Sequence, residues 1–186
     1  LPIDITDMIK TAVNGIGDGP RDQVYAMADD ALQQTQETVT REIVRRLNRF
    51  DNVYFELSNE PYSYHDGTLD WPWHERMAQV IAEVEADLPH RHMVAANVQN
   101  GEKMLDAVPP TIHLVNYHYA RPPAVLANYH LSIPIGDNET GFEGQDHLPY
   151  RREAWRFMLS GGALFNHLDY TFTAAHPDGG APIVGE

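Results

Sequence analysis

The chain has 186 residues, 42% apolar and 22% charged, which is globular usage and excludes a disordered or fibrous protein. Its 27 acidic against 13 basic residues leave a net charge of −14, so phosphate backbones and anionic lipid surfaces are poor partners. No run approaches the ~18–20 apolar residues of a membrane span, and the lack of cysteine excludes disulfides, thiolate metal sites and a cysteine nucleophile.

Residues 1–30 show no periodicity and include the run Asn14-Gly15-Ile16-Gly17-Asp18-Gly19-Pro20. No strand leads into these glycines and a proline follows, so a long loop is expected rather than a phosphate cradle. Helical spacing over Ala31–Phe50 sets Val39, Ile43, Leu47 and Phe50 on one stripe, with Arg41, Arg45, Arg46 and Arg49 mostly opposite. Val53–Ser58 alternates as a strand. A second helix is predicted from Asp70, a plausible N-cap, through Met77, Val80, Ile81, Val84 and Leu88 to Pro89. His92–Val98 is the next strand, and a short helix is expected over Gly101–Ala107.

Ile112–Tyr117 is a third strand, followed by a short helix within Pro122–Tyr129 and a fourth strand at Ile133–Gly136. Tyr150–Leu159 is helical, with Trp155 read as core, and Ala163–Leu168 is a fifth strand. Every connection is long enough for a helix and none has a hairpin turn, so the strands are expected to be parallel with right-handed crossovers. A doubly wound sheet would carry a Gly-rich turn after its first strand, and none is present. An α/β fold of the (β/α)8 TIM-barrel type, incomplete, is the expectation, with functional residues just past strand C-terminal ends.

Two carboxylates occupy such positions. Ser58-Asn59-Glu60-Pro61-Tyr62 follows the first strand, and Gly136-Asp137-Asn138-Glu139-Thr140-Gly141 follows the fourth. Glycosidic cleavage needs one protonated carboxyl to donate to the leaving oxygen and one carboxylate to attack or to activate water. Retention goes with a separation of about 5–5.5 Å and inversion with about 6.5–9.5 Å. Repulsion and partial burial can raise one pKa, which divides the two roles near neutral pH. Asp137 and Glu143 read as loop carboxylates beside the nucleophile candidate, with Asp137 as its one alternative. Glu56, four residues before Glu60, reads as structural.

With Asn59-Glu60-Pro61 and Glu139-Thr140-Gly141 three βα steps apart, the chain resembles the retaining TIM-barrel glycoside hydrolases, closest to the cellulase-like family 5. The resemblance spans roughly Asp51 to Tyr170. It implies that Glu60 is the acid/base and Glu139 the nucleophile. It further implies that Asn59 binds the substrate 2-hydroxyl and that His118 and Tyr119 support the nucleophile and sugar. Tyr170 stands where the family has an aromatic platform, and Tyr62 and Trp71, with Tyr64 and Trp73, could stack on sugar rings.

On this reading residues 1–186 are the C-terminal part of a single (β/α)8 catalytic domain whose strands one to three are missing. Such a piece is expected to be weakly active or inactive alone, because it exposes two sheet edges. No cofactor is required. The scattered histidines lack a zinc-hydrolase pattern, so no metal is expected. The expected partner is a carbohydrate, hydrolysed at β-glycosidic bonds with retention, and an extracytoplasmic or secreted location follows from that substrate class alone. The competing reading is a non-catalytic carbohydrate-binding or scaffold protein on a degenerate barrel. Transglycosylation would use the same residues. Oligomeric state, sugar and linkage are not encoded in these motifs.

Overall fold

A computed structural model describes residues 24–61, 71–98, 100, 104–141, 143–144, 146–167, 173–178 and 180. The elements run α1 (Asp30–Leu47), β1 (Phe55–Glu56), α2 (Trp71–Glu85), β2 (Val94–Asn97), β3 (Leu114–His118), α3 (Pro122–Asn128), a 3₁₀ turn (Tyr129–Leu131), β4 (Ile135–Glu139), α4 (His147–Leu159) and β5 (Leu164–Phe165). The strands form one sheet in the order β1-β2-β3-β4-β5, and the fold is an α/β architecture of parallel strands interleaved with helices, of the incomplete (β/α)-barrel type. The chain divides into two compact units. The first holds residues 1–99 and 107–115, the second residues 100–106 and 116–186.

In the first unit, β1 pairs β2 in parallel with Phe55 opposite Val94, and the His113 amide donates to Val94 O at 2.8 Å as β3 begins. Asp29 caps α1, its Oδ1 accepting the amides of Ala31 at 2.9 Å and Leu32 at 3.1 Å. The buried line of α1 is Leu32, Gln36 and Val44, continued by the cap residue Asn48. That stripe differs from the predicted one: Val39 and Ile43 are half-buried, while Leu47 and Phe50 are exposed.

The reason is specific hydrogen bonding. Gln36 accepts the Trp73 indole N–H at 3.0 Å and donates to Val24 O at 2.9 Å. Asn48 donates to His90 O at 2.9 Å and to Glu85 Oε1 at 3.2 Å. Two polar residues thereby lie on the buried face, which hydropathy alone does not show. Trp73, fully buried, meets Tyr25 edge-on at 4.8 Å and is core. Outside this core Arg76 grips Glu37 through two nitrogens, at 2.6 and 2.7 Å, and also reaches Glu83 at 3.0 Å.

In the second unit, the Tyr119 amide donates to Glu139 O at 2.7 Å where β3 meets β4, and β4 pairs β5 with Gly136 opposite Leu164. All five residues of β3 are buried. Tyr117 bonds Asn128 of α3, and burial pushes its phenol pKa up. The helix expected over Gly101–Ala107 is absent from its described part, Met104–Ala107. The backbone of Leu105 is instead engaged by side chains, its amide donating to Asn128 Oδ1 and its carbonyl accepting from His130 Nε2, both at 2.8 Å.

The last helix starts at His147, earlier than predicted, because Asp146 Oδ1 caps the Leu148 amide at 3.0 Å. Trp155, expected in the core, is 63% exposed; the buried residue of α4 is Phe157. Among the described residues no helix is long and apolar enough to cross a membrane.

Candidate active site

The first unit carries the Asn59-Glu60-Pro61 segment at the C-terminal end of β1. Glu60 has φ 46°, the left-handed region that a non-glycine residue rarely occupies. Its amide donates to Asn97 Oδ1 at 2.7 Å, and Asn97 is the fully buried last residue of β2. The neighbouring strand thus holds the turn that presents Glu60. Glu60 and Asn59 are both half-buried. Beneath this turn Ser58 Oγ lies 3.3 Å from Nε2 of the buried His74, whose ring meets that of Trp71 at 5.7 Å. Trp71 is half-buried at the start of α2. Tyr62, Tyr64, Tyr170 and Asp70 lie outside the described residues.

The second unit carries the other candidates. Glu139 ends β4 with its side chain 25% exposed. The Tyr119 hydroxyl donates to Glu139 Oε1 at 3.1 Å, and Nδ1 of His118, itself 1% exposed, lies 3.6 Å from the same oxygen. Tyr119 has φ 53°, a second left-handed residue at a strand end. Such backbone costs about 1–3 kcal/mol per residue and gathers where function fixes the chain. The buried His118 and the half-buried Tyr119 therefore stand beside Glu139, with one Glu139 oxygen engaged and the other not needed for that contact.

The flanking carboxylates separate clearly. Glu143 is exposed, and its amide donates to the Tyr150 hydroxyl at 3.0 Å. Asp137 is not a loop residue: it sits within β4, fully buried, and faces Glu153 of α4. Burial first, and then the charge of Glu153, pushes its carboxyl up to about 8. The amides of Ala120 and Glu139 approach it and pull the other way, without reaching full hydrogen-bond geometry. Its burial removes Asp137 as the alternative nucleophile.

Asn97 is the strand-end residue that the sequence reading did not single out, and Asp137 is the one it placed in a loop rather than in a buried strand. The only signal for Asn97 is a polar residue closing an apolar strand.

No protein-family model and no curated protein matches the chain. The shown architecture is thus the parallel β/α sheet with polar residues at its strand ends, without a family assignment.

Proposed function

We propose that the chain carries the catalytic residues of a retaining β-glycoside hydrolase, similar to the cellulase-like enzymes, with Glu139 as nucleophile and Glu60 as acid/base. The observation that carries this reading is the setting of Glu139. A carboxylate at a strand's C-terminal end is open to solvent on one side and accepts a tyrosine hydroxyl on the other, beside a buried histidine. The Tyr119 bond orients the group and leaves the second oxygen to attack. The left-handed backbone of Glu60 supports the second role.

The reaction has two displacements. Glu139 forms a bond to the anomeric carbon while Glu60 gives its proton to the departing glycosidic oxygen. Glu60 then takes a proton from water, whose oxygen attacks the anomeric carbon and frees Glu139. The proposal requires the two carboxyls to stand about 5–5.5 Å apart over one pocket.

Kinetics of the intact protein on aryl β-glycosides test it. Glu139→Gln is expected to abolish turnover. Glu60→Gln is expected to cost about 10²–10⁴-fold, least on aryl leaving groups that need no proton. A 2-fluoro glycoside should leave its mass on the Glu139 peptide. Near-parental rates in Glu139→Gln, or a label elsewhere, would overturn the assignment. Saturable sugar binding without turnover would favour the carbohydrate-binding scaffold.

A further inference from the structure

The second unit contains a carboxyl that the proposed chemistry does not use. Asp137 precedes Glu139 by two residues in β4, is fully buried, and among the described residues neither of its oxygens accepts a hydrogen bond of normal geometry. A buried carboxylate without donors is far costlier than a buried neutral acid. The group facing it from α4 is another carboxyl, Glu153, which is tied to the end of β4 through the Thr140 hydroxyl at 2.8 Å. From its own strand the facing charge is Glu139, and from the segment after β3 the Ala120 amide comes near. Glu139 in turn is held by Tyr119, whose amide donates to its backbone carbonyl and whose hydroxyl donates to its Oε1.

We propose that Asp137 is a positioning residue for Glu139: with Asp137 neutral, the end of β4 rests against Glu153 and α4. Its ionisation sets two carboxylates against each other and draws Glu139 away from the Tyr119 hydroxyl. The consequence for turnover rests on the glycosidase reading, whereas the proton equilibrium does not.

The sign follows from linkage. A carboxyl raised from 3.8 in the unfolded chain to about 8 in the native one stabilises fully below pH 3.8, and its contribution is lost as pH climbs to about 8. The test compares the intact protein with Asp137→Asn, which keeps the shape of the neutral acid.

In denaturant unfolding, the ratio of the variant's folding constant to the parent's is expected to rise about tenfold per pH unit between roughly 4 and 8, then to level off. Parallel profiles across this range would overturn the proposal whatever the activity. Glu153→Gln offers a second route: the Asp137 carboxyl, followed by carbon-13 NMR in the intact protein, should then titrate at lower pH than in the parent. An unmoved midpoint would count against the pair.

On aryl β-glycosides the parent's rate should fall near pH 8, and in Asp137→Asn that fall should move to higher pH with the peak rate within a few fold. If the unfolding profiles diverge but this limb stays fixed, the link to Glu139 is refuted. If no glycoside is turned over, the Tyr119 ring-carbon shift serves in its place. It should follow the Asp137 titration in the parent and be flat in Asp137→Asn, and a flat parent would refute the link independently of the enzyme reading.

Discussion

Gly136 shows how narrow the tolerance is within β4. A Cβ there would lie 2.2 Å from Asn116 Oδ1 and 3.1 Å from Leu164 Cδ2, and Asn116 is fully buried. Glycine is present for close approach, and the carboxamide of β3 occupies the space a side chain would need. Gly136→Ala should therefore destabilise by about 1–3 kcal/mol, read as a lower denaturant midpoint with unchanged slope. A neutral result would mean that Asn116 can swing aside at no cost. The sequence places this glycine at the end of the predicted fourth strand, and the structure carries that strand three residues further, to Glu139. The close contact with Asn116 is not readable there, because residue type does not distinguish a bend from a close approach. Glu60 and Glu139 stand out as candidates from spacing, because carboxylates just after predicted strands are few, and Asp137 stands beside them as an alternative. Asn97 does not stand out, nor does the burial of Asp137, since both depend on what packs around them.

At the scale of elements, the first unit is pinned by an ionic junction that periodicity does not encode. Glu85 at the end of α2 accepts from His92 Nδ1 at 2.5 Å and from the His92 amide at 3.0 Å. Nε2 of His92 faces Phe50 O at 2.7 Å. With an acceptor on each side, the imidazole is suited to donating from both nitrogens, which is the charged form. Burial alone would lower its pKa, but the bonds to Glu85 and Phe50 and the charges of Glu85 and Asp51 outweigh it and raise the pKa. A raised imidazole stabilises fully below its unfolded value of 6.5, and that contribution is lost as pH rises through the native value. His92→Gln is expected to lower stability at pH 6 and to flatten its decline at alkaline pH, measured by unfolding midpoints. If parent and variant decline together above pH 6.5, the junction is not ionic.

The second helix was largely readable from its apolar stripe, although it ends at Glu85, before the predicted stop at Pro89, and also buries His74 and Glu85. The non-helical course of Met104–Ala107 was not, because the backbone of Leu105 is claimed by Asn128 and His130 from later in the chain. Beside α2 a cavity of about 380 Å³ remains, walled by Ala78, Ile81, Val94 and Pro110.

For the molecule as a whole, the alternation of strands and long connections sufficed to predict parallel pairing, because crossover geometry leaves few other solutions. Charge then sets the conditions under which the fold is most stable. Two buried groups, Asp137 and His92, withdraw stability as pH rises, the first over roughly 4 to 8 and the second above 6.5. The surface pairs of Glu37 and Glu83 act in the opposite sense. Hydrogen bonds from Arg76 and Arg41 lower these carboxyls below 4.5, so their contribution is present above 4.5 and lost as pH falls through the lowered values. Exposure leaves these pairs weak.

The net charge of −14, which counts histidine as neutral, adds self-repulsion. Stability should therefore peak on the acid side of neutrality, above about pH 4.5, where the carboxylate pairs are intact and the two buried groups still hold protons. Salt separates the causes. Raising ionic strength at pH 8.5 should restore the part of the loss due to long-range repulsion, since the Debye length shrinks from ~10 Å at 0.1 M to ~3 Å at 1 M. It should not restore the part due to Asp137, whose burial keeps ions away, or to His92, whose partners are in direct contact. Thermal unfolding across pH at low and high salt would show this as a curve that flattens but keeps its alkaline fall. A curve made level by salt alone would assign the whole pH dependence to surface charge and leave the two buried groups without influence.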